Sequence, residues 1–166
     1  RYIFGYLTED ERFLVANAAQ STSGNALFIN DLDNENIDFV EIDNDLDTDE
    51  FVLHNEGDRL LIQTNLNAPN QRIVETTISN PLPTTWEDVI PENENVLTAS
   101  TAGGYIFASY LKDAKTEVIQ FSTRGKKIRD VKLPSLGTAV GFDGLVMDES
   151  LHYTFTSFTY PSSIYS

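Results

Sequence analysis

Ala26-Leu27-Phe28, Arg72-Ile73-Val74, Glu117-Val118-Ile119 and Ser163-Ile164-Tyr165 are four short triplets whose apolar centres, Leu27, Ile73, Val118 and Ile164, stand 46, 45 and 46 residues apart. A second landmark keeps the same step, because segments opening near Arg12, Asp58, Gly104 and Ser150 follow one another every 46 residues. Two landmarks locked to one period mark a repeated supersecondary unit. A period in the forties that holds four short strands is the unit of a β-propeller blade, whose sheet buries both faces against its neighbours.

Working outward, runs of four to eight residues rich in Val, Ile, Phe, Tyr and Thr alternate with Gly, Asn, Asp and Pro clusters, and no helical i, i+3, i+4 apolar pattern lasts three turns. The pattern predicts strands at 2–7, 12–17, 26–31, 38–42, 50–54, 59–64, 72–78, 86–90, 96–101, 105–110, 117–122, 127–133, 138–142, 151–157 and 163–166. Ile106-Phe107-Ala108, Val118-Ile119-Gln120-Phe121 and Leu60-Leu61-Ile62 are nearly continuous apolar runs, as strands covered on both faces require. A two-sheet sandwich would show cleaner alternation. Thr8-Glu9-Asp10-Glu11, His54-Asn55-Glu56-Gly57-Asp58 and Ala102-Gly103-Gly104 supply tight turns between first and second strands.

The expected fold is therefore all-β, a partial β-propeller of about three and a half four-stranded blades, with units at 1–46, 47–92, 93–136 and 137–166. Propellers close with ~4–8 blades, so an exposed edge is expected. The chain begins at Arg1 without an initiator Met and stops at Ser166 inside an apolar pattern, which reads as two boundaries within a longer protein.

Composition narrows the function classes. A formal charge of −15 with only 11 Lys and Arg disfavours nucleic acid, whose phosphates need cations to displace their counterions. No apolar run approaches the ~18 residues of a membrane span, so a soluble segment, cytoplasmic or periplasmic, is expected. The absence of cysteine removes disulfides and zinc-thiolate sites. Ten of the 26 acids fall between Asp31 and Glu50, a pattern expected of a solvated turn region.

Four stretches are similar to the propeller of the prolyl oligopeptidase family of serine peptidases. They are Thr64-Asn65-Leu66-Asn67-Ala68-Pro69-Asn70-Gln71-Arg72-Ile73, Trp86-Glu87-Asp88-Val89-Ile90-Pro91-Glu92, Leu136-Gly137-Thr138-Ala139-Val140-Gly141-Phe142 and Phe155-Thr156-Ser157-Phe158-Thr159-Tyr160-Pro161. The resemblance implies a seven-bladed propeller attached to an α/β-hydrolase domain of the same chain, in an enzyme that cleaves short peptides after proline. Each stretch also has a local reading. Asn67-Ala68-Pro69-Asn70 is loop chemistry, Trp86 is expected to open an outer strand with its N–H near water, and Pro91 ends that strand.

The chain holds no Gly-x-Ser-x-Gly elbow, and its two histidines, His54 and His152, lie in different repeat units. No catalytic residue is expected within it, and no cofactor. Asp45, Asp47, Asp49 and Glu56 match positions 1, 3, 5 and 12 of an EF-hand count, but Glu50 stands where that loop needs Gly and Phe51-Val52-Leu53 reads as a strand. A solvated acidic loop between blades, with no metal, is expected instead.

After the second strand of the first unit, the resemblance implies a loop facing the hydrolase domain, often with a substrate-binding arginine. Here the loop reads Ala18-Ala19-Gln20-Ser21-Thr22-Ser23-Gly24, with no arginine. Ala19, Gln20, Ser21 and Thr22 are the candidate substrate-facing rim. The expected function is a non-catalytic segment that gates and size-selects short peptides for a serine endopeptidase. Its rivals are an oligopeptidase of the same family cleaving after basic residues and a propeller that only binds protein or peptide.

Overall fold

The computed structural model describes residues 2–34 and 38–166; Arg1 and Glu35, the latter one of the acids of the run counted above, lie outside them. Among the described residues fifteen strands form four antiparallel sheets, each a meander in which every strand pairs with the next. The first sheet holds β1 (Tyr2–Leu7), β2 (Phe13–Ala19), β3 (Ala26–Asp31) and β4 (Val40–Asp43). The second holds β5 (Glu50–Glu56), β6 (Arg59–Thr64), β7 (Arg72–Thr77) and β8 (Glu87–Ile90). The third holds β9 (Leu97–Ala102), β10 (Tyr105–Lys112), β11 (Lys115–Ser122) and β12 (Lys127–Asp130), and the last has three strands, β13 (Thr138–Val140), β14 (Tyr153–Thr156) and β15 (Ser163–Tyr165). The chain divides into two compact units, Arg1–Glu92 and Asn93–Ser166. Short strands in sequential four-strand meanders are propeller blades, as the repeat predicts.

In the first unit the two sheets bury Phe13, Val15, Leu27, Ile29 and Ile42 against Val52, Leu60, Ile62 and Val74. Leu60, Leu61 and Ile62 are all fully buried, so β6 is covered on both faces, which explains its unbroken apolar run. The repeat becomes physical contact here. Tyr6 donates its hydroxyl to the carbonyl of Val52, 46 residues on, at 3.1 Å. Arg12 grips Asp31 through Nε (3.3 Å) and Nη2 (2.9 Å) and reaches Asp58, again 46 residues on, at 2.6 Å. Residues of one period meet because equivalent positions of successive blades lie side by side. Third and fourth strands also share a register shift, between Leu27 and Phe28 and between Ile73 and Val74, the extra twist a bulge imparts to an outer strand.

The second unit packs Ala102, Phe107, Val118, Ala139, Phe142 and Phe155 into one core. Phe107, Phe142, Tyr153 and Tyr165 form a stacked series with ring centroids 5.9, 4.8 and 5.7 Å apart. Such offset ring pairs add to the area they bury.

Several elements depart from the sequence expectation. β13 stops at Val140 rather than 142, because the chain turns at Gly141 and sends Phe142 into the core. β12 ends at Asp130, although Val131 and Leu133 still pack inward from the following segment. Trp86 caps a single 3₁₀ turn (Pro83–Thr85) ahead of β8, and its indole N–H goes to the carbonyl of Pro81 at 2.8 Å, not to water. β10 and β11 run two residues longer toward each other than expected and join through Asp113-Ala114, both with positive φ (49° and 59°). That turn carries neither Gly nor Asn, so the usual signal was missing.

Two stability changes follow. Alanine is strained in the left-handed region, so Ala114→Gly is expected to stabilise the chain by about 1 kcal/mol, read as a raised Tm by circular dichroism. Arg12→Ala strands the half-buried Asp31 (side chain 15% exposed), and a loss of about 2 kcal/mol is expected in urea unfolding followed at Trp86. Asp58→Ala removes only a 66%-exposed partner and is expected to cost less than about 1 kcal/mol. Arg12 holds the Asp31 carboxyl below its usual range, so the Arg12 contribution fades as pH falls through the acid limb.

Candidate functional site

The rim loop begins where β2 and β3 stop pairing, at Ala18 opposite Ala26. Ala19 ends β2, half-buried, while Gln20, Ser21, Thr22 and Ser23 are exposed. Within the tip, Ser21 Oγ donates to the carbonyl of Ser23 at 2.7 Å, closing a compact turn. The base is held far more firmly. Gly24 N–H donates to Asp49 Oδ1 (2.8 Å), and Asn25 N–H donates to the carbonyl of Thr48 (2.8 Å).

Asn25 then pairs with Glu50 as one strand would with another. Its Nδ2 donates to the Glu50 carbonyl at 2.9 Å and its Oδ1 accepts the Glu50 N–H at 3.1 Å. Asn17 Nδ2 adds a second bond to the same carbonyl at 2.9 Å. These side chains supply what the open edge of β5 lacks, since every buried backbone group needs a partner.

The acidic connector between β4 and β5 is shaped by its own carboxylates. Asp43 Oδ1 accepts the Asp45 N–H (3.1 Å) and Asp45 Oδ1 accepts the Asp47 N–H (2.9 Å), two successive Asx turns. Asp49 also joins the β6–β7 loop: its N–H donates to Asn65 Oδ1 (2.8 Å), and Asn65 Nδ2 donates to Asp49 Oδ2 (3.2 Å). That loop closes with Asn67 at φ 54° and with Asn70 N–H on Glu92 Oε1 at 2.6 Å. The rim loop, the connector and the β6–β7 loop thus form one hydrogen-bonded side of the first unit. The acids read on the EF-hand count serve as turn and loop acceptors, and Glu56 stands at the far end of β5 beside Arg59. Among the described residues no group of three or more His, Asp or Glu side chains is arranged to hold a metal.

Chemically, the tip offers neutral groups: the Gln20 amide and the Ser21 and Thr22 hydroxyls. They can exchange hydrogen bonds with a peptide backbone and cannot ion-pair with a carboxylate. The described arginines of this unit are committed elsewhere, Arg12 to Asp31 and Asp58, Arg59 to Glu56 and Glu75, and Arg72 to Asp88. His54 lies in β5, and His152 immediately precedes β14 in the other unit.

Sequence reasoning named the exposed tip as a candidate and did not name the residues that anchor it, Asn17, Gly24, Asn25, Asp49, Glu50 and Asn65. One signal was available. Glu50 shares the inward phase of β5 with Val52, an acid where the alternation calls for an apolar residue. Gly24 is the strictest constraint, because at φ 78° a Cβ would lie 1.8 Å from the carbonyl oxygen of Leu46. Gly24→Ala is therefore expected to cost about 3 kcal/mol and to loosen the rim loop. Gly57→Ala, also at positive φ but with no atom within 4 Å, is expected to cost only about 1 kcal/mol. Paired urea titrations of the two variants measure the difference.

The family profile described as the N-terminal β-propeller domain of prolyl oligopeptidase matches residues 1–166. Prolyl endopeptidases of Elizabethkingia miricola and Elizabethkingia meningoseptica are 44% and 45% identical over 165 residues. These alignments cover 99% of this chain, and the chain spans 23% of the length of those relatives. A solved prolyl endopeptidase structure superposes with a TM-score of 0.91 at 31% identity, covering 99% of this chain and 24% of the other. Prolyl oligopeptidase B of Galerina marginata shares the fold, with a TM-score of 0.88 at 24% identity, over 98% of this chain and 24% of its own. With that profile spanning every residue and the blade meanders superposing on solved members, the chain belongs to the prolyl oligopeptidase family, within its N-terminal β-propeller domain.

Proposed function

We propose that this chain is the non-catalytic propeller segment of a serine endopeptidase that cleaves short peptides after proline, and that it gates and size-selects substrate for a hydrolase domain of the same protein. The observation that carries the reading is the identity of 44–45% to two prolyl endopeptidases, maintained over 165 residues. The sequence holds no nucleophile elbow, so attack on the scissile carbonyl falls to groups outside residues 1–166.

A wall of propeller blades acts on such a reaction by geometry. It limits the cross-section of what reaches the reacting centre and keeps bulk water from it, a gating role that needs rigid sheets and well-placed loops. The two-sided burial of β6 and the anchored base of the rim loop supply that rigidity. On β1, Tyr2 and Phe4 on one face and Ile3 and Leu7 on the other are exposed apolar side chains, surface of the kind that further packing covers. Ala19, Gln20, Ser21 and Thr22 would meet the peptide through neutral hydrogen bonds. No helix among the described residues is long and apolar enough to cross a membrane.

The test is a comparison on the full-length protein of a fluorogenic Gly-Pro substrate with an Arg-terminated one, together with a proline-containing peptide of about ten residues and a folded protein with exposed proline. Cleavage of the two proline peptides, with the folded protein and the Arg substrate spared, is the expected result. Cleavage after arginine alone assigns the protein to the basic-specific branch of the family, and no cleavage of any substrate leaves a binding propeller. Purified residues 1–166 are expected to hydrolyse none of them.

A further inference from the structure

Glu50 presents a problem of satisfaction. It is the first residue of β5, wholly inaccessible to solvent, and its backbone is locked by Asn17 and Asn25. Its carboxyl oxygens are poorly served. Oε1 receives two long bonds, 3.4 Å each, from the hydroxyls of Thr48 and Thr64. Oε2 is buried with no protein donor. The group facing it from β4 is the Asp43 carboxyl, within hydrogen-bonding reach. Two ionised carboxylates are both acceptors and repel each other; a bond between them exists only if one carries a proton.

Among the described residues no cation is bound to this pair of carboxyls. The first lysine in the sequence is Lys112, and Arg12, Arg59 and Arg72 are bound to other acids. Among the described residues, the other elements packed around the site present neutral groups to the Glu50 carboxyl, Thr48 from the connector and Thr64 from β6, while Asp45 and Asp49 turn to backbone and amide partners. Among the described residues no set of three or more acidic or histidine ligands converges on a metal, and a single proton is enough to reconcile the pair.

We propose that Glu50 is a positioning residue that works protonated: one proton shared with Asp43 closes the joint between the first two blades and holds the Gln20–Asn25 rim loop in place, and its loss at higher pH releases that loop. The consequence for substrate rests on the proposed function, in which this rim faces the peptide; the proton-dependent joint does not. Burial, and after it the charge of Asp43, push the Glu50 carboxyl up to about 8. The sign follows from linkage. The closed joint binds the proton more tightly than the opened one, where a carboxyl titrates near its usual value of 4.5. The stabilisation is therefore complete below about 4.5 and is lost progressively as pH rises toward 8. The loop inherits the effect because Gly24 and Asn25 hang on Asp49, Thr48 and Glu50.

The experiment is hydrogen–deuterium exchange with mass spectrometry on the full-length protein between pH 6 and 9, corrected for intrinsic exchange, reading peptides that cover 18–25 and 43–50. Protection in both segments is expected to fall by up to about tenfold per pH unit between pH 6 and 8, while a peptide from 105–122 stays flat. Glu50→Gln, whose amide can donate to Asp43 as the proton does, is expected to be at least as protected as the wild type at pH 6 and to lose the pH dependence. Asp43→Asn tests the same proton from the other side and is expected to flatten the slope. Wild-type protection that ignores pH, a Glu50→Gln loop already open at pH 6, or an unchanged slope in Asp43→Asn each overturns the proposal. The readout needs no substrate. A protein that fails the proline assay yet shows the predicted slopes retains the joint and loses only its link to peptide.

Discussion

The first unit turns on how the open edge of β5 is satisfied. That strand has only β6 as a sheet neighbour, and its first residue is buried, so the Glu50 N–H and carbonyl must find partners away from water. Asn25 and Asn17, from the preceding blade, provide them. Side-chain amides carry a donor and an acceptor in fixed geometry, which lets one Asn imitate a strand edge. Position follows from this. Once Asn25 is fixed, Gly24 must pass the carbonyl of Leu46 at a distance no Cβ permits, and the exposed tip of the rim loop stands where it does as a result.

The two sides of this unit solve similar problems with different chemistry. Around Arg12, charge does the work: a bidentate guanidinium ties β2 to Asp31 and reaches the β5–β6 turn at Asp58. Around Asn25, Asp49 and Asn65, the ties are side-chain amides, backbone groups and the Asp49 carboxylate, and no described arginine takes part. The acidic connector can lie on this second side because its carboxylates fold back on its own N–H groups, which spends their acceptor capacity locally and needs no countercharge. Glu50 is the exception. Its carboxyl finds two long hydroxyl bonds, from Thr48 and Thr64, and in the proposed joint a proton relieves it.

How much of this the sequence disclosed depends on how far each feature rests on periodicity. The repeat at Leu27, Ile73 and Val118 predicts the meanders, since two-sided burial forces apolar residues onto both phases of the inner strands, and the structure shows the blades there. Turns with glycine were equally legible. The Asp113-Ala114 turn was not, because its positive φ values are imposed by the length of β10 and β11 and not by residue preference. Trp86 was placed on a strand because its environment was read from type alone, whereas Pro81 offers a carbonyl that only the folded turn brings within reach. At the site, the tip residues Ala19 to Thr22 came from the resemblance, and their role as substrate contacts stands as a proposal. The foundation beneath them is made of long-range bonds, 25 residues from Asn25 to Glu50 and 33 from Asn17 to Glu50, which no local pattern announces.

The lack of an arginine in the rim loop has a further meaning under the proposed function. A guanidinium would recognise a substrate carbonyl or carboxylate strongly and with a fixed fork geometry. Gln20, Ser21 and Thr22 would instead offer weaker, adaptable hydrogen bonds that tolerate many peptide sequences, each worth about 1 kcal/mol. Discrimination would then rest on whether the loop is held where a peptide passes, more than on the strength of any contact it makes. A loop with modest contacts is useful only if it is rigid, because ordering it on binding would cancel a gain of that size. The dense hydrogen bonding beneath a sparsely functional tip is therefore what a size-selecting wall needs, and it explains why the most constrained residues of the site, Gly24, Asn25 and Glu50, are buried ones.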